Sequence, residues 1–446
     1  MFESVLVANR GEIARRVIRT ARGVGLKAIA VYSEADADLP YVQEADESVL
    51  IGPAKPAESY LHVDSIIEAA RRTNARAVHP GYGFLAENAA FAERVMAEGL
   101  VWVGPSAQAI AAMGDKINAR NLMAAAGVPV AAGTPEPVPD ADAAVREAAR
   151  IGYPVMVKAA GGGGGIGMSV ARDEPELRKA YDTARTRAER FFGNPDILLE
   201  RFVERARHVE VQILGLADGT VIALGERDCS VQRRHQKIVE ETPSPGVGAD
   251  LRARMLAAAV RAGEAVGYRG AGTVECLVDP AAQDFVFLEM NTRLQVEHPI
   301  TELVTGVDLV EQQLLIAAGE PISFAPAAPR GHAIEFRVYA EDPRRFLPSP
   351  GEIKVWEEPT GEGVRVDAGY TAGNKVTPFY DPLLAKLCVY GSDRPDALRR
   401  AAGAIAAFQV DGLKTNLPFF AELLENAEFA QGTYDTGLVD GRMRAS

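Results

Sequence analysis

Residues 155–171 read VMVKAAGGGGGIGMSVA, and six of the seven residues from 161 to 167 are glycine. Ordering such a run is costly, because glycine loses more backbone freedom on folding than any other residue. The flanks decide how to read it. VMVKAA is an apolar, extended stretch with Lys158 near the end of the strand that enters the glycines, and MSVA resumes the strand pattern before a helix starts near residues 173–176. The glycines therefore join two strands. A phosphate loop of the GxxxxGK[ST] kind needs Gly-Lys-Ser/Thr followed at once by a helix, and neither is present. A mobile hairpin tip is the plain reading. The sharper one closes the hairpin over a polyphosphate: N–H groups without a Cβ approach the oxygens, Lys158 adds a point charge, and the tip works as a lid.

Around this hairpin the chain alternates. Residues 4–33, SVLVANRGEIARRVIRTARGVGLKAIAVYS, read as strand, loop, helix and strand, a unit that implies a parallel sheet. No GxGxxG occurs in it, so a dinucleotide fingerprint is absent. Strand–helix alternation continues to about residue 113, giving an N-terminal α/β domain over 1–113. The proline- and acid-rich GTPEPVPDADAA at 133–144 reads as a loop before a small lid domain, set at 131–203. Residues 204–446 carry several strand pairs and read as a larger antiparallel α+β domain. The fold class is thus mixed α/β and α+β.

Two further stretches carry chemistry. In VECLVDPAAQDFVFLEMNTRLQVEHPITE, 274–302, Glu275 and Glu289 fall on two strands joined by a turn. If the second strand is regular, Glu289, Asn291 and Arg293 share a face. Two carboxylates and an amide oxygen are hard ligands of the kind magnesium takes, completed by water and nucleotide phosphate. Surface acids on an edge strand are the alternative, weakened by the apolar FVFL between them. In GERDCSVQRRHQKIVEE, 225–241, Arg227, Arg233, Arg234, His235 and Lys237 are either a small-anion site or a solvated turn balanced by Glu240 and Glu241. His208 and Glu210 alternate on a strand, where a histidine is more often structural. Lys116 follows Asp115, which reads as an ordinary N-cap or as the start of a phosphate-binding helix.

The bulk numbers set limits. The 446 residues suit two to four domains, and 47% hydrophobic with 24% charged residues suits a globular enzyme. A formal charge of −13 argues against nucleic acid as the main partner. No apolar run reaches membrane-span length. Three cysteines without a CxxC suit a reducing cytoplasm, and the six histidines show no zinc-type spacing.

KAAGGGGGIGM, RHVEVQ, ERDCSVQRRHQKIVEE and the paired VECLV and FLEMNTRLQVEHPITE resemble the ATP-grasp superfamily, and within it biotin carboxylase. VANRGEIARRVIR, HPGYGFLAEN, GDK, FRVYAED and TPFYDPLLAKL extend the resemblance over essentially the whole chain. It implies ATP-dependent carboxylation of biotin with bicarbonate through carboxyphosphate, using ATP, Mg2+ or Mn2+, and biotin as carrier-bound substrate. It places Lys116, Lys158, Gly164, Gly165, His208 and His235 around the nucleotide, and the backbone of Glu200, Arg201, Phe202 and Val203 against adenine. Glu275 and Glu289 would hold magnesium, with Asn291 helping a second ion. Lys237, Arg293 and the Val296 backbone match the bicarbonate pocket, Glu297 the general base, and Arg337 the residue facing biotin and bicarbonate.

The resemblance also implies partners: a biotin carboxyl carrier protein, a carboxyltransferase subunit and a second copy in a homodimer. The sequence has no MKM-like biotin-acceptor motif, so the biotin is expected on a separate chain. Ile166 stands where many relatives carry Arg or Lys, so the hairpin tip has lost a charge. A ligase making an acyl phosphate for an amine would share Lys158, the glycines and the acids. It would have no reason to carry RLQVEHPITE, HQK and FRVYAED together. A non-catalytic nucleotide-binding regulator has only Ile166 in its favour.

Overall fold

In the computed structural model, residues 1–160, 168–192, 194–325 and 327–440 are described. The N-terminal sheet has five parallel strands in the spatial order Glu47–Gly52, Lys27–Ser33, Ser4–Val7, Ala77–His79 and Val101–Trp102. The helix Gly11–Gly23 follows the first strand and buries Ile13, Val17 and Ile18 on one side. Gly25, at φ +81°, lets the chain reverse into the next strand, a conformation that costs glycine nothing. The carboxyl ends of the central strands lead into residues 9–13 and 82–84, which border the main cavity. Open parallel sheets present their sites at that end.

The small unit is a three-stranded antiparallel sheet, Met168–Ala171, Val155–Ala159 and Ile197–Arg201, with the helices Ala141–Ile151 and Glu174–Phe192 packed on it. It owns a separate apolar core that includes Ala144, Val155, Val157, Leu177, Tyr181 and Leu199. The glycines at 161–167, the proposed lid tip with Gly164, Gly165 and Ile166, lie outside the described residues.

The largest sheet has eight antiparallel strands, ordered Asp284–Asn291, Gly270–Asp279, Arg207–Gly215, Val221–Arg233, Gln236–Thr242, His332–Tyr339, Leu383–Gly391 and Val364–Ala368. The helix Ala249–Ala265 packs on its first half and Arg394–Ala407 on its second. Every residue of Arg207–Gly215 is buried, although RHVEVQ alternates polar and apolar. Its polar side chains face a covered interior, so each needs a partner there. One apolar cluster joins Ile13 and Val17 to Leu294, Leu309, Leu314 and Leu384, which fixes the N-terminal sheet against the large one. Among the described residues no helix is long and apolar enough to cross a membrane.

Candidate active site

The register of the large sheet builds the site. Glu289 pairs with Glu275, Glu275 with Glu210, and Glu210 with Arg227, each directly across a neighbouring strand. Opposed residues on antiparallel strands share a face, so these four form a row across four strands. Lys237 reaches into this row from the next strand. Its Nζ donates to Glu210 Oε2 at 2.6 Å, Glu275 Oε1 at 2.7 Å and Glu297 Oε1 at 2.8 Å. Arg337 Nη2 holds the other Glu297 oxygen at 2.9 Å and pairs with Glu240. Arg337 Nε is buried with no partner among the described residues, a spare donor at a cavity wall.

These pairings set the charges. Burial pushes the Glu297 carboxyl up, but Lys237, Arg337 and Arg227 more than offset it and hold its pKa well below the usual range. Glu297 is therefore ionised. Burial opposes the Lys237 charge, yet Cys229 and the three carboxylates keep its pKa well above the ordinary value. Glu240 is different: burial raises it to about 7, with Glu297 adding to the rise and Arg337 opposing it.

The sequence candidates converge on one cavity of about 1030 Å³. Lys116, Lys158, His208, His235, Lys237, Arg293, Val296 and Arg337 all line it, as do Glu200, Arg201, Phe202 and Val203. Glu297 sits behind this wall, fully buried. Lys158, near the end of the strand Val155–Ala159, pairs with Glu200. The Arg201 and Phe202 N–H groups donate to the carbonyls of Ala132 at 2.7 Å and Pro154 at 3.0 Å. The Val203 N–H has no partner among the described residues, which leaves a donor at the cavity edge. His208 Nε2 lies 2.9 Å from Glu275 Oε2. Burial lowers the His208 pKa, but Glu275 outweighs it and the ring is held more basic than usual.

The residues fit a magnesium ion. Glu275 and Glu289 oppose each other in register, and Asn291 pairs across from Thr273 on the same hairpin. The Glu289 carboxylate has no hydrogen bond or ion pair among the described residues. Burial and Glu275 raise its pKa, the mark of two acids that a divalent cation would relieve.

The basic stretch does not act as one anion site. Arg227 is fully buried and committed to Glu210, with Gln212, Thr301 and Thr273 accepting its other hydrogens. Arg233 pairs with Glu341. Only Arg234, His235 and Lys237 reach the cavity from that group of five. Arg234 and His235 form a two-residue hairpin turn with φ +47° and +66°. Side-chain-bearing residues there cost about 1 kcal/mol or more each, a strain that tends to persist where function holds it. Asp115 is an ordinary N-cap, accepting from Asn118 N at 2.9 Å, while Lys116 still lines the cavity. The second strand ends at Asn291, so Arg293 lies beyond it.

Sequence reasoning missed several partners. Glu87, within HPGYGFLAEN, receives Arg293 Nε at 2.8 Å and the Thr292 N–H at 3.1 Å. Arg293 Nη2 also donates to Asn291 Oδ1 at 3.2 Å. In the sequence Glu210 reads only as a strand neighbour of His208, yet in the fold it stands between Glu275 and Arg227 at the centre of the charged row. Strand parity alone would have placed it there beside His208.

A parallel-sheet domain, a three-stranded unit whose first two paired strands flank the glycine run in sequence, and paired acids on a long antiparallel sheet around one cavity define an ATP-grasp enzyme. Residues 1–110 match the family described as the N-terminal domain of biotin carboxylase. Residues 115–324 match the ATP-binding domain of the carbamoyl-phosphate synthase L chain, and 335–441 the C-terminal domain of biotin carboxylase. The chain is 51% identical to biotin carboxylase 2 of Bacillus subtilis over 438 residues, covering 98% of each. It superimposes with a TM-score of 0.95 on a Campylobacter jejuni biotin carboxylase complex, at 44% identity and 99% coverage of both chains. It also superimposes, at 0.94 and 41% identity, on the biotin carboxylase domain dimer of Hydrogenobacter thermophilus 2-oxoglutarate carboxylase, covering 99% and 98% of the two chains. That dimer was solved with MgADP, ADP and bicarbonate. The chain belongs to the biotin carboxylase family, enzymes that carboxylate biotin at the expense of ATP.

Proposed function

We propose that this cavity binds MgATP and bicarbonate side by side and uses them to carboxylate biotin. The observation that carries the reading is the hold of Lys237 and Arg337 on Glu297 just behind the cavity wall, beside the Glu275–Glu289 pair that lines the same cavity. Lys237 and Arg293 bind bicarbonate, with Arg293 offering a planar fork to a carboxylate-like ion. The Val296 backbone completes the pocket. Glu297 takes the bicarbonate proton. An anion placed between Lys237 and Arg337 weakens their hold on Glu297 and makes it a better base.

The carbonate formed attacks the γ-phosphorus of ATP, and ADP leaves. Lys116, Lys158 and His208 spread the charge on the phosphates, while the Glu200–Arg201–Phe202–Val203 backbone and His235 seat the nucleoside. Glu275, Glu289 and Asn291 hold Mg2+ or Mn2+, which neutralises phosphate charge and aligns the transferred group. The product, carboxyphosphate, supplies CO2 and phosphate; phosphate deprotonates the ureido nitrogen of biotin, and Arg337 steadies the resulting anion as it takes up CO2.

We assign the biotin to a separate carrier protein, the final transfer to a carboxyltransferase subunit, and the active state to a cytoplasmic homodimer. The working division is 1–113, 131–203 and 204–446. The test is ADP release by the purified chain with and without bicarbonate and free biotin. Release that needs bicarbonate and rises with biotin supports the reading; release indifferent to both overturns it.

A further inference from the structure

Lys386, in the strand Leu383–Gly391, is fully buried and lies outside the groups assigned above. A buried ammonium is costly, and an apolar side chain would fill the space at less expense. Its contacts show what it secures. Nζ donates to the Val296 carbonyl at 3.0 Å and pairs with Glu12 Oε2 at 3.0 Å, with Asp367 Oδ2 at 4.0 Å. Burial opposes its charge, but Glu12, Glu335 and Asp367 hold its pKa above the ordinary value.

The Val296 carbonyl belongs to the peptide plane from which the Glu297 Cα departs. Glu297 is the N-cap residue of the helix His298–Thr305 and makes no capping bond, because its side chain is given to Lys237 and Arg337. The preceding plane is held as well: His298 Nδ1 donates to the Gln295 carbonyl at 2.8 Å. Burial, with Lys386 second, holds the His298 pKa well below its usual value, so the ring is neutral and carries its proton on Nδ1. Both peptides flanking Val296 are thus clamped from behind the cavity wall. The opposite end of the Lys386 contact is Glu12, on the first helix, which also receives the hydroxyl of the cavity-lining Tyr82.

We propose that Lys386 is a positioning residue for the bicarbonate pocket: it pins the Val296–Glu297 peptide, and through it sets both the Val296 backbone and the direction of the Glu297 carboxylate. This rests on the function proposed above. A displacement of the reacting groups by about 1 Å costs on the order of a hundredfold in rate, so loss of one clamp has a measurable reach.

The test uses the full chain and bicarbonate-dependent ADP release. Lys386→Met keeps the bulk and removes the donor. The double variant Lys386→Met/Glu12→Gln also removes the acid left unpaired, which protects the fold. Both are expected to raise the bicarbonate KM at least about tenfold with the MgATP KM within about twofold. An unchanged bicarbonate KM in either folded variant, or an equal rise in both KM values, overturns the positioning role. If the wild-type chain releases no ADP in response to bicarbonate, the parent reading falls and this one with it. If wild type responds and the variants match it, only this inference falls.

Discussion

Glu297→Gln separates base chemistry from binding. Glu297 accepts from Lys237 on one oxygen and Arg337 on the other. The amide keeps the shape but cannot take a proton, and its NH2 faces one of the two cations. Neither cation is stranded by the change: Lys237 keeps Glu210 at 2.6 Å and Glu275 at 2.7 Å, and Arg337 keeps Glu240. The fold should therefore tolerate the substitution, and the loss should appear in the chemistry. A positioned general base contributes roughly 10²–10⁴-fold, so bicarbonate-dependent ADP release should fall by about that factor. MgADP affinity, measured by titration calorimetry, should change less than about threefold, because Glu297 lies behind the bicarbonate side of the cavity. Glu297→Asp gives a graded control. It keeps the charge but retracts by one methylene, and a loss of about 10–100-fold is expected. A glutamine variant within tenfold of wild type would refute the assignment. So would a fall in nucleotide affinity matching the fall in rate.

Lys237→Ala should fold, because each carboxylate it leaves retains another cation: Arg227 for Glu210, His208 for Glu275 and Arg337 for Glu297. Its defect should be a lost response to bicarbonate concentration, and a normal saturation curve would count against the role. Glu289→Gln should raise the Mg2+ concentration for half-maximal ADP release by roughly tenfold or more; an unchanged metal titration would remove Glu289 from the ligand set. Glu241 concerns stability alone. Burial raises its carboxyl, but His332 and Arg394 bring it down to about 2. A carboxyl lowered in the folded state stabilises above its unfolded pKa and loses that stability as pH falls through the folded value. Glu241 should thus hold about 3 kcal/mol at pH 7, lost between about pH 4.5 and 2. Glu241→Gln should lower the urea midpoint at pH 7 and flatten its decline over that window; a parallel decline would refute the pairing.

What could be read from the residues was local. The Glu275–Glu289 hairpin was legible because turn and strands lie within one short stretch, and strand parity then sets the faces. The N-terminal unit was legible from its change of period between SVLV and GEIARRVI. Pairing across long separations was not. Arg227 and Arg233 resemble an anion site until Glu210 and Glu341 are seen beside them, and Glu341 is 108 residues from Arg233. The same applies to Arg293 and Glu87, 206 residues apart. A charge run in a sequence names the residues but not their counterions, and in a buried sheet the counterions decide whether a cation is structure or chemistry.

The row Glu289–Glu275–Glu210–Arg227 behaves like the rungs of a ladder whose pitch is the distance between hydrogen-bonded strands. Inserting or deleting one residue in any of the four strands would turn that strand's rung to the opposite face, leaving two acids without their neighbour or a guanidinium without its counterion. Length variation should therefore be confined to the connecting turns, and a single-codon deletion inside these strands should be more damaging than the replacement of any one of the four side chains.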